Sequence, residues 1–124
     1  MEIKDYYKRI LAFCADTPLI INFHLDFEEI DINVGYFSGL INLVDGSNLH
    51  ISEFVEISGK EIKRPKYRYH WQKSNPSVIA RWDNAPHYKN LKSSPDHLHK
   101  DDKVIDSEKK DLFKVLSEIE KLIV

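Results

Sequence analysis

One cysteine, one methionine and four glycines in 124 residues leave several structural classes without material. A lone Cys14 excludes a disulfide scaffold and offers no thiolate set for a structural zinc site. No glycine-rich phosphate loop, dinucleotide fingerprint or nucleophile elbow occurs. No apolar run approaches the roughly 20 residues of a membrane-spanning helix. Charge of one sign is lacking as well: 18 Lys and Arg against 20 Asp and Glu leave a formal net charge of −2, which is not the footprint of a chain that coats nucleic acid. Repeats and low-complexity stretches are missing. The first residues are charged from Glu2 onward and lack an apolar signal region, and a single thiol suits a reducing compartment, so the expected setting is the cytoplasm, with no membrane partner.

What is present fits one folded domain over residues 1–124. A hydrophobic share of 42% and a charged share of 31% are ordinary for a globular chain, and the length suffices for one core. The charges are segregated. "DFEEIDI" (26–32) is acidic and "KEIKRPKYR" (60–68) is basic. These are either two solvated surfaces or, for the basic block, a local site for an anionic ligand.

Periodicity predicts a helix over 2–15, with Ile3, Tyr7, Ile10, Leu11 and Cys14 on its apolar stripe and Pro18 beyond its end. The β-branched and aromatic content of 19–30 predicts a strand. Two more strands, 34–44 and 48–57, flank Asp45-Gly46-Ser47, a hairpin signal because both central residues of a type I′ turn need positive φ. Turns at 58–61 and 73–77 separate strands at 66–72 and 78–83. Residues 84–106 show no period, and a loop of that length in a compact domain is uncommon and often functional. A final helix from about Ser107 carries Leu112, Val115, Leu116, Ile119, Leu122 and Ile123 on its stripe. The expected fold class is α+β: an antiparallel meander of four to five strands flanked by an N-terminal and a C-terminal helix.

A two-residue turn at Asp45-Gly46 pairs Val44 with Ser47. Tyr36, Leu40 and Val44 then share a face with Ile51, Val55 and Ile57, and Ser38 meets Glu53. A carboxylate on an apolar strand face marks either a bulge or wet margin, or a working group with a raised pKa. A four-residue loop at 58–61 sets Glu53 beside Lys66, Arg68 and His70, whereas an odd-length loop sets it beside Tyr67, Tyr69 and Trp71. The sequence leaves both open. In either register Arg68 and His70 share a face, as do Arg81 and Asp83.

The residues able to carry chemistry are Arg68, Tyr69, His70, Arg81, Asp83, Asn84, His87, His97 and His99. Metal-free RNA cleavage needs a base for the ribose 2′-hydroxyl, an acid for the leaving oxygen and cations for the charged intermediate. His70 and His87 are the candidate base and acid, and Arg68 and Arg81 the phosphate clamp. Glu53 or Asp83 is the candidate for orienting a histidine. Tyr69, Asn84, His97 and His99 are candidate substrate contacts, with Trp82 a stacking surface or a core residue. A competing assignment makes Asp83, His87, His97 and His99 a site for zinc or a similar divalent ion, since two histidines two apart on an extended segment point the same way. A third makes the aromatic and histidine cluster a non-catalytic interaction surface. Cys14 lies on an apolar helical stripe and is no candidate nucleophile.

"YRYHWQ" (67–72), "RWDNAPH" (81–87) and "SPDHLH" (94–99), with the hairpin "GLINLVDGSNLHISEFVEI" (39–57), resemble the successive signatures of the TumE-type toxin family of type II toxin–antitoxin systems. The resemblance covers most of the chain. It implies growth arrest through RNA cleavage or another block of translation, and a small helix-turn-helix antitoxin as partner. RNA is the candidate ligand and a homodimer the candidate assembly; no cofactor is implied. The pattern departs at Tyr88, where a second histidine is expected after His87.

Overall fold

A computed structural model describes residues 1–75 and 77–123. Helix α1 (Ile3–Asp16) starts where the Asp5 carboxylate accepts the Glu2 N–H at 2.8 Å, an acidic group at the positive end of the helix. Its buried stripe is Ile3, Tyr6, Ile10 and Cys14; Tyr6 takes the place expected of Tyr7 and Leu11, which are half-buried. Strands β1 (Ile20–Asp31), β2 (Val34–Leu43), β3 (Asn48–Ser58), β4 (Glu61–Gln72), β5 (Val78–Asp83), β6 (His97–Lys100) and β7 (Lys103–Asp106) follow, then helix α2 (Leu112–Ile123). The strands form one antiparallel sheet in sequence order.

The α+β class matches the expectation, but the sheet has seven strands rather than four or five. The extra pair lies inside the segment expected to be a loop. Lys100 pairs with Lys103 around Asp101 and Asp102, whose φ values of 53° and 59° are both positive. Asp-Asp makes this turn without the glycine that signals it, and four-residue strands are too short to show a period. Helix α2 starts at Leu112 rather than near Ser107, because Asp111 caps it by accepting the Lys114 N–H at 2.8 Å. Leu122, expected on its buried stripe, is exposed. Pro76, in the expected 73–77 turn, lies outside the described residues.

Two irregularities fix which side chains face the core. The β2–β3 turn has three residues, not two: Leu43 N donates to Ser47 O at 2.9 Å, and Gly46 sits at φ 87°. The register therefore slips by one residue from the expected pairing. Phe37, Ile41 and Leu43 turn inward, Tyr36 and Val44 outward, and Glu53 faces Phe37 instead of Ser38. The β3–β4 turn has two residues, with Ser58 opposite Glu61, a parity that would set Glu53 across from Lys66. A bulge at Arg64-Pro65 inserts one residue, and Glu53 instead pairs with Tyr67. Tyr67, Tyr69 and Trp71 thus point into the core, and Arg68 and His70 point out.

Both helices contribute to that core, meeting where Phe13 and Phe113 pack edge to face at 4.6 Å. The sheet permits little added bulk at Gly39. A Cβ there would meet the His24 carbonyl oxygen, and Leu25 Cδ2 at 2.6 Å. Gly39→Ala is expected to destabilise the fold by about 1–3 kcal/mol, seen as a lower urea midpoint with an unchanged slope.

Candidate functional site

The register aligns the polar side chains of the solvent-facing side in two cross-strand rows. One runs His50, His70, Arg81, His99 across β3, β4, β5 and β6. The next runs Ser52, Arg68, Asp83, His97. Directly opposed residues of antiparallel strands share a face, so these eight side chains belong to one surface. Among the described residues, three open concavities border it, and two of them lie beside Arg68. One, of about 360 Å³, is lined by His50, Ser52, Arg68, His70 and Gln72. The other, of about 550 Å³, is lined in part by Lys66, Arg68, Arg81, Asp83, Asn84 and His87. Ser52 and Arg68 border both.

Arg81 is fixed by its neighbours. Its Nε donates to Asp83 Oδ2 at 3.1 Å and its Nη2 to His99 Nε2 at 2.9 Å. Asp83 is buried, and its Oδ1 accepts the Ala85 N–H at 3.0 Å. His97 is buried at 1% exposure; its Nδ1 bonds the Pro95 carbonyl at 2.9 Å. His97 Nε2 lies 2.8 Å from Asp83 Oδ1, within ion-pair range but out of line for a hydrogen bond. Tyr88 packs edge-on against both His97 and His99, with ring centroids 4.8 and 5.6 Å away. Where the family pattern expects a second histidine, this chain thus has an aromatic wall on the cluster.

Two groups on this face are less committed. Arg68 is exposed and, among the described residues, has no ion-pair partner; Asp83, opposite it, is paired with Arg81. His70 is half-buried, and its Nδ1 has no hydrogen-bond partner among the described residues. Burial, then the Arg68 and Arg81 charges, then His50 lower the His70 pKa, so its ring is neutral near pH 7. Burial and Arg81 likewise lower that of His99, whose Nε2 accepts from Arg81.

Donor atoms of Asp83, His97 and His99 lie within 4.8 Å of one another. The Nδ1 bond to Pro95 leaves His97 Nε2 facing the cluster, the tautomer a metal ligand needs. The donors therefore fit a divalent ion in kind. Arg81, however, already directs its cation at two of the three residues. His87, proposed from the sequence as a fourth ligand, is exposed and stands outside this group.

Other sequence candidates lie elsewhere. Glu53 is fully buried on the opposite face of the sheet, where Tyr6 donates to its Oε1 at 2.7 Å and Tyr69 to its Oε2. Arg64 Nη2 donates to Tyr6 Oη at 2.9 Å, and Arg64 Nε lies 3.7 Å from Glu53 Oε2. Glu53 points inward by alternation within β3 and Tyr69 by the Pro65 bulge, so neither reaches the histidines of the outer face. Trp82 is in the core. Asn84 braces the bulge: its Oδ1 accepts the Tyr67 N–H at 2.9 Å, and its Nδ2 donates to Pro65 O at 3.1 Å. Cys14 is buried, which raises its thiol pKa to about 11 and leaves it protonated near neutrality. Sequence reasoning missed His50. Its signal was parity: two residues before Ser52 and three before Glu53, it faces outward once Glu53 faces inward.

Fold and face together define a small α+β protein whose sheet presents a cationic, histidine-bearing surface. The chain belongs to the Toxin TumE family, whose model matches residues 9–123. Membership makes it a toxin of a toxin–antitoxin system and implies an antitoxin partner. No curated protein and no solved structure matches it. No helix among the described residues is long and apolar enough to cross a membrane.

Proposed function

We propose that this toxin arrests growth by cleaving RNA without a metal ion, at the outward face of β4 and β5. The observation that carries this reading is the adjacency of Arg68, His70 and Arg81, with the imidazole kept neutral by burial and the two guanidiniums. A neutral imidazole can take the proton of a ribose 2′-hydroxyl, and paired guanidiniums suit the phosphate that the resulting oxygen attacks. Asp83 acts on Arg81, holding the fork in place, and His99 accepts from Arg81 in turn. His87, at the rim of the larger concavity, is placed to contact the strand. The antitoxin, which we take to be a small helix-turn-helix protein, would silence the toxin by covering this face.

Expression of the chain, its His70→Ala form and its Arg81→Ala form tests the reading. Growth arrest with loss of RNA integrity is expected from the parent alone. Equal arrest from both folded variants rejects these assignments, and arrest with intact RNA favours a non-catalytic interaction module.

A second reading rests on the Asp83, His97 and His99 donors. In a metal-dependent hydrolase these three would hold a zinc-like ion, with Arg81 swung aside. Elemental analysis of protein purified without a histidine tag separates the two. The RNA reading predicts metal well below one ion per chain and activity that survives a chelator.

A further inference from the structure

The site described above lacks a placed acid. Cleavage at the 2′-hydroxyl needs a proton for the departing 5′-oxygen as well as a base. His87, the sequence candidate, is across the face from His70, on the rim of the other concavity. We propose that His50, directly opposite His70 on β3, is that acid, so that the two rings form one proton-transfer couple. This rests on the RNA-cleavage reading and adds to it a second catalytic residue.

Geometry carries the inference. The β3–β4 ladder pairs His50 with His70 on the solvent side, in the concavity that also holds Ser52, Arg68 and Gln72. The ring centroids are 6.4 Å apart and the planes cross at 80°. An imidazole nitrogen reaches about 2.8 Å to an oxygen, so each ring can bond a different oxygen of one phosphate at the cleft mouth. Arg68, two residues before His70 on the same face, borders that mouth. The Gln72 amide lies beside the exposed ring, its Nε2 3.3 Å from His50 Nε2; with its oxygen turned to that nitrogen it would accept from the charged ring.

The environments of the two rings assign the roles. His70 is half-buried, between Arg68 on its own strand and Arg81 on β5. His50 is exposed, one strand further from Arg81. From β2 it faces only Leu40, with Ser38 and Asn42 beyond, none of them titratable. The His50 charge would oppose a charge on His70, so the half-buried ring serves as the base and the exposed ring is assigned as the proton donor. In the step, neutral His70 takes the proton of the 2′-hydroxyl, and the 2′-oxygen bonds phosphorus. The bond from phosphorus to the 5′-oxygen breaks, and His50 protonates that oxygen. The products are a 2′,3′-cyclic phosphate and a free 5′-hydroxyl. Exchange with water then returns the proton from His70 and restores the one lost by His50.

The test compares two substrates with the purified chain. One is a dinucleotide, uridylyl-adenosine, whose leaving alkoxide needs a proton. The other is uridine 3′-(4-nitrophenyl phosphate), whose leaving phenolate needs none. His50→Ala is expected to lose about 10²- to 10⁴-fold on the dinucleotide and less than about tenfold on the nitrophenyl ester, whereas His70→Ala loses on both. His50 is exposed, so the variant is expected to fold, and a melting curve checks this. Wild-type rates for His50→Ala on the dinucleotide overturn the acid role, as do equal losses on the two substrates. A parent protein that cleaves neither substrate removes the RNA reading itself.

Discussion

Replacing His70 with Ala is expected to lower RNA cleavage by about 10²- to 10⁴-fold, the usual worth of one positioned proton-transfer group. The fold is expected to remain, because the ring stands on the outer face of β4, outside the core. The parent should lose activity as pH falls and His70 takes up a proton. The midpoint is expected below the ordinary histidine value of 6.5, because burial and two arginines disfavour the charged ring. Arg81→Ala removes one of those charges, so in that variant the acid limb should move upward as the rate drops. A shifted limb separates a chemical role for this pair from mere support of the fold, which would leave the profile in place. An unmoved limb with an unchanged rate contradicts the placement of both residues.

The second large effect concerns stability. Glu53→Ala is expected to cost about 3–5 kcal/mol, in the range for removing one partner of a buried ion pair. The carboxylate is fully buried, accepts from Tyr6 and Tyr69 and lies 3.7 Å from Arg64 Nε. Burial and then the Glu53 charge raise both phenol pKa values, so the two hydroxyls stay protonated as donors. Burial alone would lower the Arg64 pKa, but Tyr6 and Glu53 outweigh it and leave it raised. Removing the acceptor strands two hydroxyls and a largely buried guanidinium. Glu53→Gln should cost less, since an amide oxygen can still accept from one tyrosine. Denaturant unfolding measures both, and a loss below about 1 kcal/mol for Glu53→Ala, the scale of an exposed pair, contradicts the account of this network.

Glu53 also shows how far the sequence could be read. That a carboxylate lay on an apolar strand face was legible from alternation alone. Its role was not, because that depended on the parity of β4. The β3–β4 turn has even length, and only the extra residue at Arg64-Pro65 sends Tyr69 inward to meet Glu53 and His70 outward to meet Arg81. Pro65 was visible, but a proline in a strand does not say on its own whether it sits at an edge or a bulge. The same dependence on β4 hid the meeting of His50 with His70. Arg68 with His70, and Arg81 with Asp83, needed no register, because residues two apart on a strand share a face. The β6–β7 hairpin was illegible for a different reason. Its strands have four residues each and its turn has no glycine, so neither period nor turn chemistry marks it. That hairpin is what brings His97 and His99 beside Asp83 and Arg81.

The most direct measurement of the central claim is cleavage of a defined oligoribonucleotide by the purified chain in excess chelator, beside the same sequence in deoxyribose. The ribose strand is expected to be cut to fragments with 2′,3′-cyclic phosphate and 5′-hydroxyl ends, and the deoxyribose strand to stay intact. Cleavage of both strands, cleavage abolished by the chelator, or an untouched ribose strand contradicts the claim.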